Sequence, residues 1–383
     1  MNPPPPRALQ CAPVIYLDHA ATSFPKPAPV LAAVEHWFRE LGVSEARGAS
    51  RRCAEVAQEV RAARGGVGAL LGLPAERVAF TSGATESLNL FLRAFLRHGD
   101  TVLTTAFEHS SVVRPLVALR AELGLRLEVL APDHDGGLRP ERVRAALQGL
   151  RPRLFAFTHA SNVTGAVLDA AAFCELARAQ ACTTLLDGSQ TIGAIDLVVG
   201  ADAVAASCHK ALHAPPGLGF LAVRPGIDLR PQKQGGTGSS RALAEHPQQW
   251  PLAFEAGTPN TPAILGLAAA LRWLEQEGRD LLRARSLQRT DELIAGLAGN
   301  DRYRLLLPPP GPRLPILSLL ADHDPAELGA ILDDHEVHVR TGYHCAPWLH
   351  PHLGSEAAGT VRLSPGPQVS AADIHATLAV LAG

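Results

Sequence analysis

Short apolar runs alternate with helical periodicity along much of the chain, and this alternation sets the expected architecture. Runs at 78–81, 101–105, 125–130, 154–158, 183–187, 203–206 and 218–223 have the length of buried strands. Most are separated by segments with apolar residues three and four positions apart, at 86–96, 110–122, 140–150 and 170–180. Strands apolar on both faces, joined through helices, predict a mainly parallel sheet covered on both sides. The expected fold is therefore α/β, with a doubly wound, mainly parallel seven-stranded sheet in a large domain over residues 29–257.

The flanking segments read differently. Residues 1–28 form an expected N-terminal arm, opening with MNPPPPRALQCAP and passing through turn-rich YLDHAATSFPKPAP to a helix at 30–41. An amphipathic helix follows at 54–71, with Gly65-Gly66 expected to weaken its centre. Beyond residue 257 a helical stretch, 262–298, connects to strands at 303–307, 314–320, 337–340 and 360–363 around helices at 325–334 and 371–381. That pattern predicts a smaller C-terminal α+β domain, so residues 258–383 are assigned to the connecting helix and this domain.

Composition narrows the function. With 383 residues, 46% of them hydrophobic, the chain can bury a large core, and a formal charge of −2 leaves no electrostatic footprint for nucleic acid or an anionic membrane. No apolar run approaches the roughly 20 residues of a membrane span, and the amino terminus has no apolar signal core. The six cysteines, at 11, 53, 174, 182, 208 and 345, include no CxxC pair, which argues against a disulfide framework or a four-thiolate zinc site. A cytoplasmic protein acting on small molecules is expected.

Of 35 basic residues only three are lysines, Lys26, Lys210 and Lys233. Lys210 follows the apolar run 203–206 in Ser207-Cys208-His209-Lys210, at the carboxyl end of a predicted strand, where open α/β sheets bind ligands. A desolvated lysine can lose its proton and attack an aldehyde or ketone, which arginine cannot do; a snorkelling surface lysine is the alternative. Lys26 and Lys233 sit among Pro, Gln and Gly as loop residues. Thr85, His109, Asn162 and Asp187 each follow a different strand of the same predicted sheet, so their loops face one crevice with Lys210. The turn Phe80-Thr81-Ser82-Gly83-Ala84-Thr85-Glu86 aims backbone N–H groups and a hydroxyl at one point, which suits a phosphate. Asp187 beside a heteroaromatic cofactor could keep a ring nitrogen protonated, and Gln190 could bond another ring substituent.

Nine stretches carry a resemblance: YLDHAATSFPKP, FTSGATESLNL, EHSSVVRPL, HASNVTGAVLD, LLDGSQTIGAIDL, SCHKALHAPPGLGF, FEAGTPNT, VRTGYHCAP and GTVRLSPG, in order from Tyr16 to Gly366. Together they resemble the class V aminotransferase fold, a fold type I pyridoxal-phosphate enzyme, and most closely the cysteine desulfurase family. The resemblance implies that Lys210 holds pyridoxal 5′-phosphate and later moves the substrate Cα proton. Asp187 would pair with the pyridine nitrogen, Gln190 and Asn162 with the phenolic oxygen, and His109 would stack on the ring. Ala84, Thr85, Ser207 and His209 would bind the phosphate, with Thr258 reaching the phosphate of a neighbouring subunit in a homodimer. Arg362, with Asn162 and Arg340 beside it, would hold the substrate carboxylate.

Cys345 would take sulfur from L-cysteine as a persulfide and pass it to an acceptor protein or thiol, in sulfur metabolism such as iron–sulfur cluster assembly. Arg340 and His344, near in sequence, are the cations expected to favour its thiolate. Cys53, Cys174, Cys182 and Cys208 read as small hydrophobes and Cys11 as an arm residue. The alternatives are a selenocysteine lyase, a cysteine sulfinate lyase or an aminotransferase without an obligatory persulfide. A metal-binding sulfur-carrier module built on His344, Cys345, His350 and His352 is the reading from another class; a desulfurase site itself is expected to need no metal.

Overall fold

The structure is a computed structural model that describes residues 14–45, 50–238 and 244–383. Its large sheet contains β2 (Val78–Thr81), β3 (Thr101–Thr105), β4 (Arg126–Leu130), β5 (Leu154–Thr158), β6 (Thr183–Asp187), β7 (Ala203–Ser207) and β8 (Gly219–Val223). These seven strands lie in the order β2-β8-β7-β6-β5-β3-β4, with β8 antiparallel to both of its neighbours and every other pairing parallel. The expected seven-stranded, mainly parallel sheet is what forms.

Alternation along each strand explains why both faces are covered. Phe155 and Phe157 of β5, Val204 and Ala206 of β7 and Phe220 of β8 join the core beneath helices Arg51–Leu71, Pro140–Leu150, Ala170–Ala179 and Thr261–Glu277. Their neighbours Leu154, Ala156, Ala203, Ala205 and Leu221 face the opposite core, with helices Ala84–Phe95 and Ser110–Leu123. Each buried Phe or Leu contributes about 1.5–3 kcal/mol relative to exposure, so both covered faces stabilise the sheet.

Two helical expectations are corrected. Helix Arg51–Leu71 runs unbroken through Gly65-Gly66. At Gly66 an added Cβ would stand 2.7 Å from Leu271 Cδ1 on helix Thr261–Glu277, so the glycine admits a neighbouring helix, and that packing offsets its low propensity. The connector is two helices, Thr261–Glu277 and Arg279–Leu297, broken at Gly278 with φ of +80°.

The C-terminal region contains β9 (Tyr303–Leu306), β10 (Leu317–Ala321), β12 (Arg340–Gly342) and β13 (Thr360–Leu363) in one antiparallel sheet, ordered β12-β13-β10-β9. The strand expected at 314–320 starts only at Leu317, because Leu314 instead donates its N–H to Gly165 O of the large domain. The stretch 337–340 splits: β11 (Val337–His338) pairs in parallel with β1 (Ile15–Tyr16), while Arg340 enters the four-stranded sheet. Leu17 lies in the same core as Leu317, Val361 and Leu363, so residues 15–17 are built into the C-terminal layer. Residues 1–13 of the expected arm lie outside the described residues.

Candidate active site

A cavity of about 290 Å³ opens at the carboxyl ends of the parallel strands. Lys210, Asp187, His109, Asn162 and Gln190 line it, brought together from loops after β3, β5, β6 and β7. Ala84, Thr85, Ser207 and His209 form another part of the wall, and Arg340, Cys345 and Arg362 enter from the C-terminal sheet and its loop. Every residue expected at this crevice therefore lines one cavity.

The lysine is half-buried in the cavity wall rather than extended over the outer surface. Desolvation lowers its pKa from 10.5 to about 8; Asp187 opposes the shift, while Arg362 and Arg340 add to it. Asp187 Oδ1 accepts from Ser189 N at 2.9 Å, which fixes the carboxylate at the end of β6. His109 caps helix Ser110–Leu123, with Nδ1 2.9 Å from Ser111 Oγ and accepting from Ser111 N at 3.1 Å. Burial first, then the Lys210 charge, lowers its pKa to about 4, so the imidazole is neutral at pH 7.

At the opposite end, helix Ala84–Phe95 points its N-terminus at the cavity, and its first N–H, from Ala84, donates to Ser207 Oγ at 3.1 Å. Thr85 Oγ1 lies 2.7 Å from Ser111 Oγ. Gly219, where β8 begins, has no room for a side chain: a Cβ would come within 2.5 Å of Gly83 Cα. The antiparallel strand thus presses against this turn. His209 Nδ1 is buried without a protein partner, and burial with the Lys210 and Lys26 charges lowers its pKa to about 4.

Cys345 is exposed at the cavity mouth, in contrast to the buried Cys53, Cys174, Cys182 and Cys208; Cys11 lies outside the described residues. Both His344 (φ 47°) and Cys345 (φ 58°) occupy the left-handed region, costly for residues with a Cβ. The surroundings over-determine that turn. Ser110 N donates to Cys345 O at 2.6 Å, Asn162 Nδ2 donates to His344 O at 2.5 Å, and His350 Nε2 lies 2.8 Å from Tyr343 O.

One expectation fails here. His344 is not a cation beside the thiol: its Nε2 sits 2.7 Å from Thr360 Oγ1, and burial, reinforced by Arg362 and His350, drives its pKa far below the imidazole range. Arg340 is the remaining expected cation. The imidazole of His350 is spent on the loop, bonding Ser355 Oγ and Tyr343 O, and no group of three metal-ligating side chains occurs among the described residues.

Arg362 is 2% exposed and half engaged within the protein. Its Nη2 pairs with Asp18 Oδ1 at 2.6 Å and Nη1 donates to Asn162 O at 3.0 Å, while Nε has no partner. Asp18 also faces Arg340 at 3.7 Å, a partnership that sequence reasoning missed although Asp18 stands in YLDHAAT. Lys26, expected as a plain loop residue, donates from Nζ to His209 O at 2.8 Å and to Ser23 Oγ at 2.8 Å. Gln190 donates to Ala20 O at 3.1 Å. Glu108, beneath the site, was also missed; it accepts from Thr105 Oγ1 at 2.6 Å and Thr158 N at 3.0 Å. Thr258 is not in the cavity. It lines a separate cleft of about 180 Å³ with Ser82, Glu86 and Lys233.

A doubly wound sheet with a half-buried lysine after one parallel strand and a carboxylate at the end of its neighbour, both lining one cavity, defines an enzyme of the fold type I architecture. The model of the aminotransferase class-V family matches residues 15–377, and the chain belongs to that family. Within it, a probable cysteine desulfurase of Methanothermobacter thermautotrophicus is 31% identical over 91% of this chain and 89% of its own length. A cysteine desulfurase of Klebsiella pneumoniae is 32% identical over 89% of this chain and 86% of its own. The apo structure of a cysteine desulfurase from Thermococcus onnurineus superposes with a TM-score of 0.89 at 28% identity, covering 96% of this chain and 94% of the other.

Proposed function

We propose that this protein is a pyridoxal-phosphate-dependent cysteine desulfurase that converts L-cysteine to L-alanine, stores the sulfur on Cys345 and works as a homodimer in the cytoplasm. The observation that carries the reading is the pairing in one cavity of a half-buried lysine, its pKa lowered to about 8, with an exposed cysteine. The residues fit the cofactor. The N-terminus of helix Ala84–Phe95, Ser207 and the unpartnered His209 Nδ1 offer donors for a phosphate. Asp187 offers a fixed carboxylate to a ring nitrogen, and His109 a neutral ring for stacking. When bound, pyridoxal phosphate supplies an electrophilic carbon and a sink for the electrons left at Cα.

The side chains then divide the work. Lys210, lowered to about 8, is available as a base to take the Cα proton of L-cysteine at neutral to mildly alkaline pH. Arg362 and Arg340 hold the substrate carboxylate, and Asn162 braces both Arg362 and the Cys345 loop. The Cys345 thiolate attacks the substrate sulfur: an S–S bond forms, the Cβ–S bond breaks, and its electron pair stays with carbon, which is protonated and leaves as L-alanine. The terminal sulfur of the persulfide passes to an acceptor thiol.

Thr258 lies outside the cavity, so contact with a phosphate would have to come from a second copy, and the exposed Phe24, Leu31 and Phe38 offer apolar surface for one. No helix of the described residues is long and apolar enough to cross a membrane, and the free cysteines suit a reducing compartment. The test is alanine and sulfide production from L-cysteine with a reductant. Lys210→Ala should abolish both products and the visible absorbance of the bound cofactor; Cys345→Ala should keep that absorbance while losing orders of magnitude in turnover. Near wild-type desulfuration by Cys345→Ala would refute the persulfide step.

A further inference from the structure

A second cavity, of about 80 Å³, lies behind the first and shares only Ala20, Gln190 and Lys210 with it. It sits between the turn after β6, the start of helix Arg279–Leu297 and the segments 314–316 and 364–367. Its volume exceeds the space one water molecule needs, roughly 10–15 Å³ on this measure. Leu274, Leu282, Leu314 and Ile316 make much of the wall apolar.

The charged side chains of the wall, Arg279, Arg283 and Lys210, are all basic. Arg279 and Arg283 line it from one helix, His19 and His213 from the opposite side, and no carboxylate lines it. Arg283 donates from Nη2 to Arg313 O at 3.3 Å, but its Nε is buried without a partner. His213 is 6% exposed and its Nδ1 has no partner; neither has His19 Nε2. Burial holds the His19 and His213 pKa values at about 3 and about 4, and the residues that deepen those shifts, Lys26 and for His19 also His213, are basic. Gly366 is part of this construction, since a Cβ there would collide with the His19 ring. The unpartnered Arg283 Nε–H, the Arg279 guanidinium and the neutral His213 ring, whose Nδ1 donates in one of its two tautomers, in a confined and otherwise apolar space are what an anion with a small apolar tail requires.

We propose that this cavity is a second ligand site, specific for a small carboxylate, seated behind Lys210 and distinct from the substrate crevice. The inference rests on the cavity itself and does not depend on the reaction. Its test is a titration of the holoenzyme with sodium acetate, followed by NMR of the histidine side chains, with sodium chloride as the comparison anion. Acetate should produce saturable shifts at His19 and His213, and Arg283→Met should weaken that binding about tenfold, the value of one charge-assisted hydrogen bond. Should Arg283→Met fail to fold, Arg279→Met, whose side chain is only half-buried, should weaken it in the same direction. Absence of saturable shifts at these imidazoles, or equal affinity in the folded variants, would overturn the site. Shifts at His109 with the same midpoint would place acetate in the substrate crevice, and equal shifts with chloride would overturn the carboxylate assignment.

Discussion

Glu108 offers a quantitative test of the site's electrostatics. Its side chain is completely buried, with Oε1 accepting from Thr105 Oγ1 and Thr158 N and Oε2 without a partner. Burial, assisted by Asp187, raises its pKa from 4.5 to about 8, so the native protein keeps it protonated at neutral pH. Between pH 4.5 and 8 the native state therefore holds a proton that the unfolded chain has released, and stability falls as pH rises. At about 1.4 kcal/mol per pH unit, the loss reaches about 5 kcal/mol over the whole window and about 2–3 kcal/mol between pH 6 and 8.

Glu108→Gln keeps the accepting oxygen, replaces the protonated one by an amide of similar size, and removes the titration. Urea unfolding of wild type and Glu108→Gln at pH 6 and 8 measures the difference. The variant should match wild type at pH 6 to within about 1 kcal/mol and exceed it at pH 8 by about 2–3 kcal/mol. Glu108→Ala, which strands two donors, should be destabilised at both pH values by about 1–3 kcal/mol for each. Parallel pH dependences in wild type and Glu108→Gln would show that Glu108 is already ionised in the native state, and the reasoning would fail.

Other expectations follow from the same geometry. Asp18→Asn leaves the buried Arg362 facing Arg340 without its carboxylate and should destabilise the protein by about 3–5 kcal/mol, read by denaturant unfolding. Gly219→Ala forces β8 away from the Gly83 turn, costing about 1–3 kcal/mol and weakening cofactor retention, read by dialysis and absorbance.

The strands were legible where burial on both faces left no polar alternation to misread: Val78–Thr81, Thr101–Thr105, Leu154–Thr158 and Thr183–Asp187 form with the expected bounds. Placement of Lys210, Asp187, His109 and Asn162 followed, since position after a parallel strand is enough to aim a loop into the crevice. Tertiary partners were not legible. Asp18 and Arg362 stand 344 residues apart, and nothing local to YLDHAAT says which cation its carboxylate meets. The same holds for His344, which looks like a helper of Cys345 in sequence but turns toward Thr360, and for Gly66, whose helix-breaking character is cancelled by Leu271.

These tertiary contacts assign charge in a consistent way. Around the crevice and behind it, burial holds His19, His109, His209 and His213 neutral and lowers the pKa values of Lys26 and Lys210 to about 8. Arginine keeps its charge under the same desolvation, because its ordinary pKa is far higher. Fixed positive charge at the substrate end is thus supplied by Arg340 and Arg362, both aligned on Asp18, while the imidazoles available to stack or donate are neutral and Lys210 sheds its proton at mildly alkaline pH. A chain that otherwise uses arginine needs lysine at 210 because only an amine can give up its proton in that setting. Exchanging the two residue types would remove the base from one end of the crevice and the pH-independent clamp from the other.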